Sequence, residues 1–162
     1  MKKIVAILII QLLLFGSVFS SGNKEVRDKG NQLIWLINLE DAFDIAQSNG
    51  KVILINFTGS DWCGWCKKLK KEVFSHNEFI EYANNNLILL ELDFPNNTPQ
   101  PYETKFYNYN IMQRFGIKGF PTILLLDKNN SVIARTGYQP GGAVNYVNHL
   151  KKYISNYDFE QM

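Results

Sequence analysis

Two spacings of apolar residues alternate along the chain. In NLEDAFDIAQSNG, residues 38–50, Leu39, Ala42, Phe43 and Ala46 recur at the spacing of one helix face. Asn38 precedes them as a candidate N-cap, and Gly50 follows as a stop. The next segment, KVILINF, is apolar from Val52 to Phe57 except at Asn56, which reads as a strand covered on both faces. Helical spacing returns at Cys66, Leu69 and Val73, with Lys67, Lys68, Lys70 and Lys71 largely outside that stripe. LILLELDF, Leu87 to Phe94, is a second buried strand, and PTILLLD is a third. SVIARTGY follows it across the turn at Asn129 and Asn130, so these last two strands form a hairpin. Ala143 to Ile154 closes the chain as an amphipathic helix carrying Val144, Val147, Leu150 and Ile154. Strands alternating with helices, then a hairpin and a terminal helix, give an α/β fold with helices on both faces of one sheet. No internal repeat interrupts this order.

The first residues follow a different pattern. Met1-Lys2-Lys3 is basic, and Ile4 to Phe15 is apolar apart from Gln11, the n- and h-regions of a secretory signal peptide. Val18 and Ser20 are small residues at −3 and −1, so cleavage is expected after Ser20, with the bond after Gly22 as the alternative. An uncleaved anchor is the other reading, since Ile4 to Phe19 falls just short of the roughly 20 residues that span a bilayer. Either way the domain lies outside the cytoplasm, periplasmic or extracellular. The assignment is therefore a signal peptide over 1–20, a polar flexible leader over 21–30 and one folded domain over 31–158. Without Lys2 and Lys3, the 17 basic residues become 15 against 15 acidic ones. No basic excess points to nucleic acid.

Both cysteines lie in SDWCGWCKKLKKEVF, residues 60–74. Three chemistries compete for the pair. As a structural staple, Cys63–Cys66 would close a four-residue loop, for which loop entropy gives only about 2 kcal/mol before strain. As a metal site the pair needs two further ligands, and the only histidines are His76 and His149, both expected to be ordinary surface residues. A redox pair fits best. A cysteine at a helix start meets unpaired N–H groups and the positive end of the helix dipole, both favouring a thiolate. Cys63 is thus the expected nucleophile. Cys66 is one turn deeper on the same face and is the natural resolving thiol. No metal or cofactor is expected.

A buried strand ending in NFTGSDWCGWCKKLKKEVF, a later FGIKGFPTILLLD, and TGY before a last helix together resemble the thioredoxin superfamily. Asn31 to Tyr153 carries the likeness, which is most similar to exported single-domain members and to the periplasmic domain of the transmembrane thiol reductant. The resemblance implies a three-layer fold with a central mixed sheet of four to five strands. It implies that Cys63 and Cys66 form a redox-active disulfide, that Pro121 is a substrate-docking proline, and that its bond to Phe120 is cis. Phe120, Trp62 and Trp65 join it as docking residues, although Trp62 could equally pack beneath the site. Gly137 resembles the glycine that permits close substrate approach, a turn glycine being an equal reading. Asp61 is read as a solvated loop residue, close enough to raise the Cys63 pKa slightly if it faces the sulfur.

Two departures from the family are visible. Where many members keep a buried aspartate, this chain has Asn56, so proton transfer at Cys66 needs water or another group, with Glu91 on the neighbouring strand as a candidate. PNNTPQPYETKFYNYN, residues 95–110, is longer than the usual connection; its prolines exclude a regular helix at the start, while Glu103 to Phe115 can be helical. The expected activity is thiol–disulfide exchange on exported proteins, in the reductive direction, by a monomer with a membrane thiol reductant as electron donor. The alternatives are a disulfide oxidase or isomerase, and a thioredoxin-fold peptide-binding module without turnover.

Overall fold

The structure is a computed structural model describing residues 32–157. The signal peptide, the leader and both ends of the 31–158 domain lie outside the described residues.

Five strands form one mixed sheet: β1 (Trp35–Leu36), β2 (Val52–Thr58), β3 (Leu87–Asp93), β4 (Thr122–Leu126) and β5 (Val132–Thr136), in the order β1-β3-β2-β4-β5. β1 and β2 run parallel to β3, while β4 is antiparallel to β2 and β5 to β4. Every residue of β2 is buried, as expected of a strand covered on both faces. On one face Val52, Leu54, Leu87 and Leu89 meet Leu69, Val73, Phe79, Tyr146 and Leu150. The other buries Ile53, Ile55, Leu90 and Leu92 with Leu39, Ala42, Ala46 and Ile111. This is the expected three-layer arrangement.

Local signals explain both ends of the first helix and the start of the fourth. In α1 (Leu39–Asn49) the Asn38 Oδ1 accepts the Asp41 N–H at 3.0 Å, and Gly50 closes the helix at φ 71°, in the left-handed region where glycine is free of strain. α2 (Gly64–Leu69) continues as a π-helical turn, Lys70–Phe74, in which the Ser75 N–H bonds the Lys70 carbonyl at 3.0 Å. The extra residue in that turn leaves both Val73 and Phe74 in the core. α3 (Asn77–Asn86) has no counterpart in the apolar pattern, nor has β1. The long connection contains α4 (Tyr102–Arg114), which begins just after Pro101, as its prolines require. It is docked by Tyr107, whose hydroxyl accepts the Leu39 N–H at 2.6 Å and donates to Glu40, and by Asn108, which donates to the Asp93 carbonyl at 2.9 Å. In α5 (Gly142–Ser155) the buried face is Ala143, Tyr146, Val147 and Leu150, while Val144 is exposed. The expected stripe is therefore turned by one position at its start. Tyr146 carries the burial because its hydroxyl has a partner, the Gly137 carbonyl at 3.1 Å.

Candidate active site

The dithiol sits where β2 hands the chain to α2. After Thr58 the chain turns, with the Cys63 N–H on the Gly59 carbonyl at 2.8 Å, and Cys63 becomes the N-cap of α2. Its Sγ accepts the Cys66 N–H at 3.1 Å, and the two sulfurs are joined in a disulfide. In this form both residues are shielded, 6% and 5% exposed. What separates them is position: only Cys63 caps the helix, where N–H groups and the dipole stabilise negative charge on sulfur.

Two aspartates pin the turn. The Asp93 carboxylate accepts the Ser60 N–H and hydroxyl at 2.8 and 2.6 Å. The Asp61 carboxylate accepts three consecutive N–H groups, of Asn96, Asn97 and Thr98, at 2.9, 2.7 and 2.8 Å. The Asn96 bond leads in holding the Asp61 pKa down at about 2. Asp61 is therefore no free solvated loop residue: it ties the start of the long connection to the motif. Lys67, on α2, donates to the Asp61 carbonyl at 2.8 Å.

Aromatic side chains flank the motif on two sides. Trp62, 45% exposed, donates its Nε1–H to the Phe94 carbonyl at 2.8 Å and meets Phe120 edge-on, with ring centroids 5.9 Å apart. Phe94 stacks on Phe120 at 5.0 Å. Trp62 thus packs and faces solvent at once, and the two readings of it are not exclusive. Trp65, 58% exposed, lies against Tyr138 at 5.3 Å. The Phe120–Pro121 bond is cis, and both residues are half-buried. A Cβ on Gly137 would come within 2.9 Å of the Pro121 carbonyl oxygen, so glycine is required there for the two segments to approach. Phe120 touches Trp62 and Tyr138 touches Trp65, so both segments adjoin the motif.

Gly59 carries a second close approach: a Cβ there would fall 2.5 Å from the Trp62 ring. Gly59→Ala must displace the indole. It should destabilise the protein by about 1–3 kcal/mol, the usual range for overpacking, and should red-shift tryptophan emission; urea unfolding with fluorescence checks both.

Beneath α2 lies a polar pair. Asn56 on β2 is opposite Glu91 on β3 and donates to its carboxylate at 3.1 Å. Both continue, by the two-residue period of a strand, the rows Val52, Leu54 and Leu87, Leu89 that α2 covers. Asn56 is buried and its Oδ1 has no hydrogen-bond partner among the described residues. Burial pushes the Glu91 carboxyl pKa up and the Asp93 charge adds to this, while the Asn56 hydrogen bond and the Lys70 charge act against it.

The remaining candidates are placed elsewhere. His149 is not an ordinary surface residue: its Nε2 is 2.8 Å from the Thr136 hydroxyl, and its ring packs between Tyr146 and Tyr153. His76 is exposed at the start of α3. Among the described residues no group of three or more His, Cys, Asp or Glu side chains is placed to hold a metal. Tyr138 and Phe94 are site residues that no motif marks; the only hint is that Tyr138 follows Gly137 in TGY.

The chain is similar to known proteins along most of its described length. Residues 39–152 match the thioredoxin-like domain. The disulfide bond reductase DsbH of Chlamydia pneumoniae is 34% identical over 111 residues, 68% of this chain and 67% of that protein. The thiol:disulfide interchange protein DsbD of Haemophilus influenzae is 34% identical over 74 residues, 46% of this chain but only 11% of its own length. A solved DsbH oxidoreductase structure superposes with a TM-score of 0.73 at 29% identity, covering 83% of this chain and 94% of the other.

Proposed function

The chain belongs to the thioredoxin-like family, and from that premise we propose that it is an exported thiol–disulfide oxidoreductase that reduces disulfides of other exported proteins. The observation that carries the reading is the Cys63 sulfur at the N-cap of α2, receiving the Cys66 N–H. A thiolate there is stabilised before any substrate arrives. It attacks one sulfur of a substrate disulfide; the Cys63–substrate bond forms, the substrate S–S bond breaks, and the first substrate thiolate leaves and is protonated by solvent. Glu91 takes up the proton that Cys66 gives up. The Cys66 thiolate then attacks Cys63 Sγ, expels the second substrate thiolate and closes the Cys63–Cys66 bridge. Two electrons have passed to the substrate. A membrane thiol reductant returns them in this reading, which the signal-peptide pattern at residues 1–20 supports.

The direction is tested by the equilibrium potential against glutathione or dithiothreitol, together with insulin reduction. Potentials in this fold run from about −270 mV for thioredoxin to about −120 mV for a strong oxidase. A value in the reducing half of that range, with dithiothreitol-dependent insulin precipitation, is expected. A potential near the oxidase end overturns the reductive direction in favour of an oxidase or isomerase. Absence of any thiol-dependent turnover leaves a peptide-binding module.

A further inference from the structure

The two aromatic flanks of the motif differ in one respect. Trp62 is already satisfied, its N–H on the Phe94 carbonyl and its ring on Phe120. The Trp65 indole is more exposed, yet it is braced by Tyr138 from beyond β5 and by Lys68 of its own helix. The Tyr138 ring lies 5.3 Å away, and Lys68 Nζ sits 5.2 Å from the indole centroid and 5.1 Å from the phenol centroid. Glu72, in the π-helical turn, fixes both braces: it accepts the Tyr138 hydroxyl and lies 3.8 Å from Lys68. Tyr138 is fixed in turn by its neighbour Gly137, packed on the Pro121 carbonyl.

Holding an exposed tryptophan in one orientation costs side-chain entropy and returns little unless something binds to it. We propose that Trp65, oriented by Tyr138 and Lys68, is the shelf on which an extended substrate peptide lays an aromatic side chain adjacent to its target cysteine. This rests on the oxidoreductase reading and narrows its substrate class. With 58% of its surface exposed, the indole offers a large apolar area to a stacked or edge-on ring. The Lys68 cation is already engaged by Glu72 and by the two ring faces, so what the shelf presents to a substrate side chain is chiefly apolar ring surface. A polypeptide rather than a small disulfide is the fitting occupant, because Trp65 lies between the two cysteines in the chain and its brace Tyr138 follows Gly137, which packs on the Pro121 carbonyl. Tyr138 and Lys68 are positioning residues in this scheme, acting through Trp65.

The test is a ratio, so that a uniform change in activity cancels. Two fluorogenic peptide disulfides are compared by kcat/KM, identical except that phenylalanine or alanine occupies both positions beside the cysteine. The native protein should prefer the phenylalanine peptide about fivefold, in the range of a single aromatic pair. Trp65→Ala should bring the ratio to about one, and Trp65→Phe should restore part of it. Lys68→Met and Tyr138→Phe should each lower it without abolishing turnover. A native ratio near one, or a preference that survives Trp65→Ala, overturns the proposal. Turnover of neither peptide refutes the reductase reading instead. The shelf is then judged by calorimetry with S-alkylated peptides: tighter binding of the phenylalanine peptide, lost in Trp65→Ala, upholds it, and equal binding overturns it.

Discussion

Cys66→Ser should turn the protein into a trap: it should attack substrate disulfides and stall, accumulating protein-sized mixed disulfides through Cys63. Cys63→Ser should form few or none. Both variants should lose steady-state disulfide reduction by about three orders of magnitude or more, the scale expected when one member of a catalytic pair is removed. Exposure cannot decide between the two thiols, because the residues are almost equally shielded in the bridged form. The helix end can. Cys63 Sγ accepts an N–H of the first turn of α2, while Cys66 is inside that helix with its own N–H already donated. Thiols at such positions ionise at about 3.5 to 7 against about 8.5 for a free cysteine. Alkylation of the reduced protein near pH 6 should therefore label Cys63 first. Preferential labelling of Cys66, or trapping by Cys63→Ser, would reverse nucleophile and resolver.

The elements that fix this site were legible wherever the signal was local. α1 has its cap, its stripe and its stopping glycine within thirteen residues of sequence, and the structure reproduces all three. β2 is legible because a strand covered on both faces has few polar positions. The dithiol and the later proline are legible as a motif. α3 is not, because only Phe79, Ile80 and Ala83 are buried in a segment rich in asparagine, too sparse a stripe to stand out. Tyr146 escapes for another reason: a hydroxyl marks it as surface, and only the Gly137 carbonyl waiting beneath α5 makes its burial cheap. Contacts between distant segments are the least legible. Nothing near Trp65 in sequence announces Tyr138, and nothing near Asp61 announces the three amides at 96–98 that occupy it. The Asn56–Glu91 pair stands between these cases. Each residue interrupts an apolar strand, which is visible, but their meeting depends on the β2/β3 register, which is not.

That pair leads to the second large effect, in which stability and activity move in opposite directions. Glu91 has its carboxyl pKa raised by burial above all, which outweighs the Asn56 hydrogen bond acting against it; the Asp93 charge adds a smaller upward push and the Lys70 charge a smaller downward one. The folded protein therefore holds this proton more tightly than the unfolded chain does. Between the ordinary carboxyl range and the raised folded value, folding takes up a proton, so stability falls as pH rises through that window. Glu91→Gln removes the charge while keeping an oxygen able to accept the Asn56 amide hydrogen. The variant should lose this pH dependence and be more stable than the native protein at neutral pH, as urea unfolding from pH 4 to 8 would show. Its resolving step should suffer. With no carboxylate to receive the Cys66 proton, release of substrate from the mixed disulfide should slow by about tenfold or more, the lower end of what positioned acid–base groups contribute. In single-turnover release the native rate should climb with pH as Glu91 ionises, whereas the variant should stay low until Cys66 itself ionises. Superimposable pH profiles for the two proteins would show that Cys66 loses its proton to water and that Glu91 serves the sheet alone.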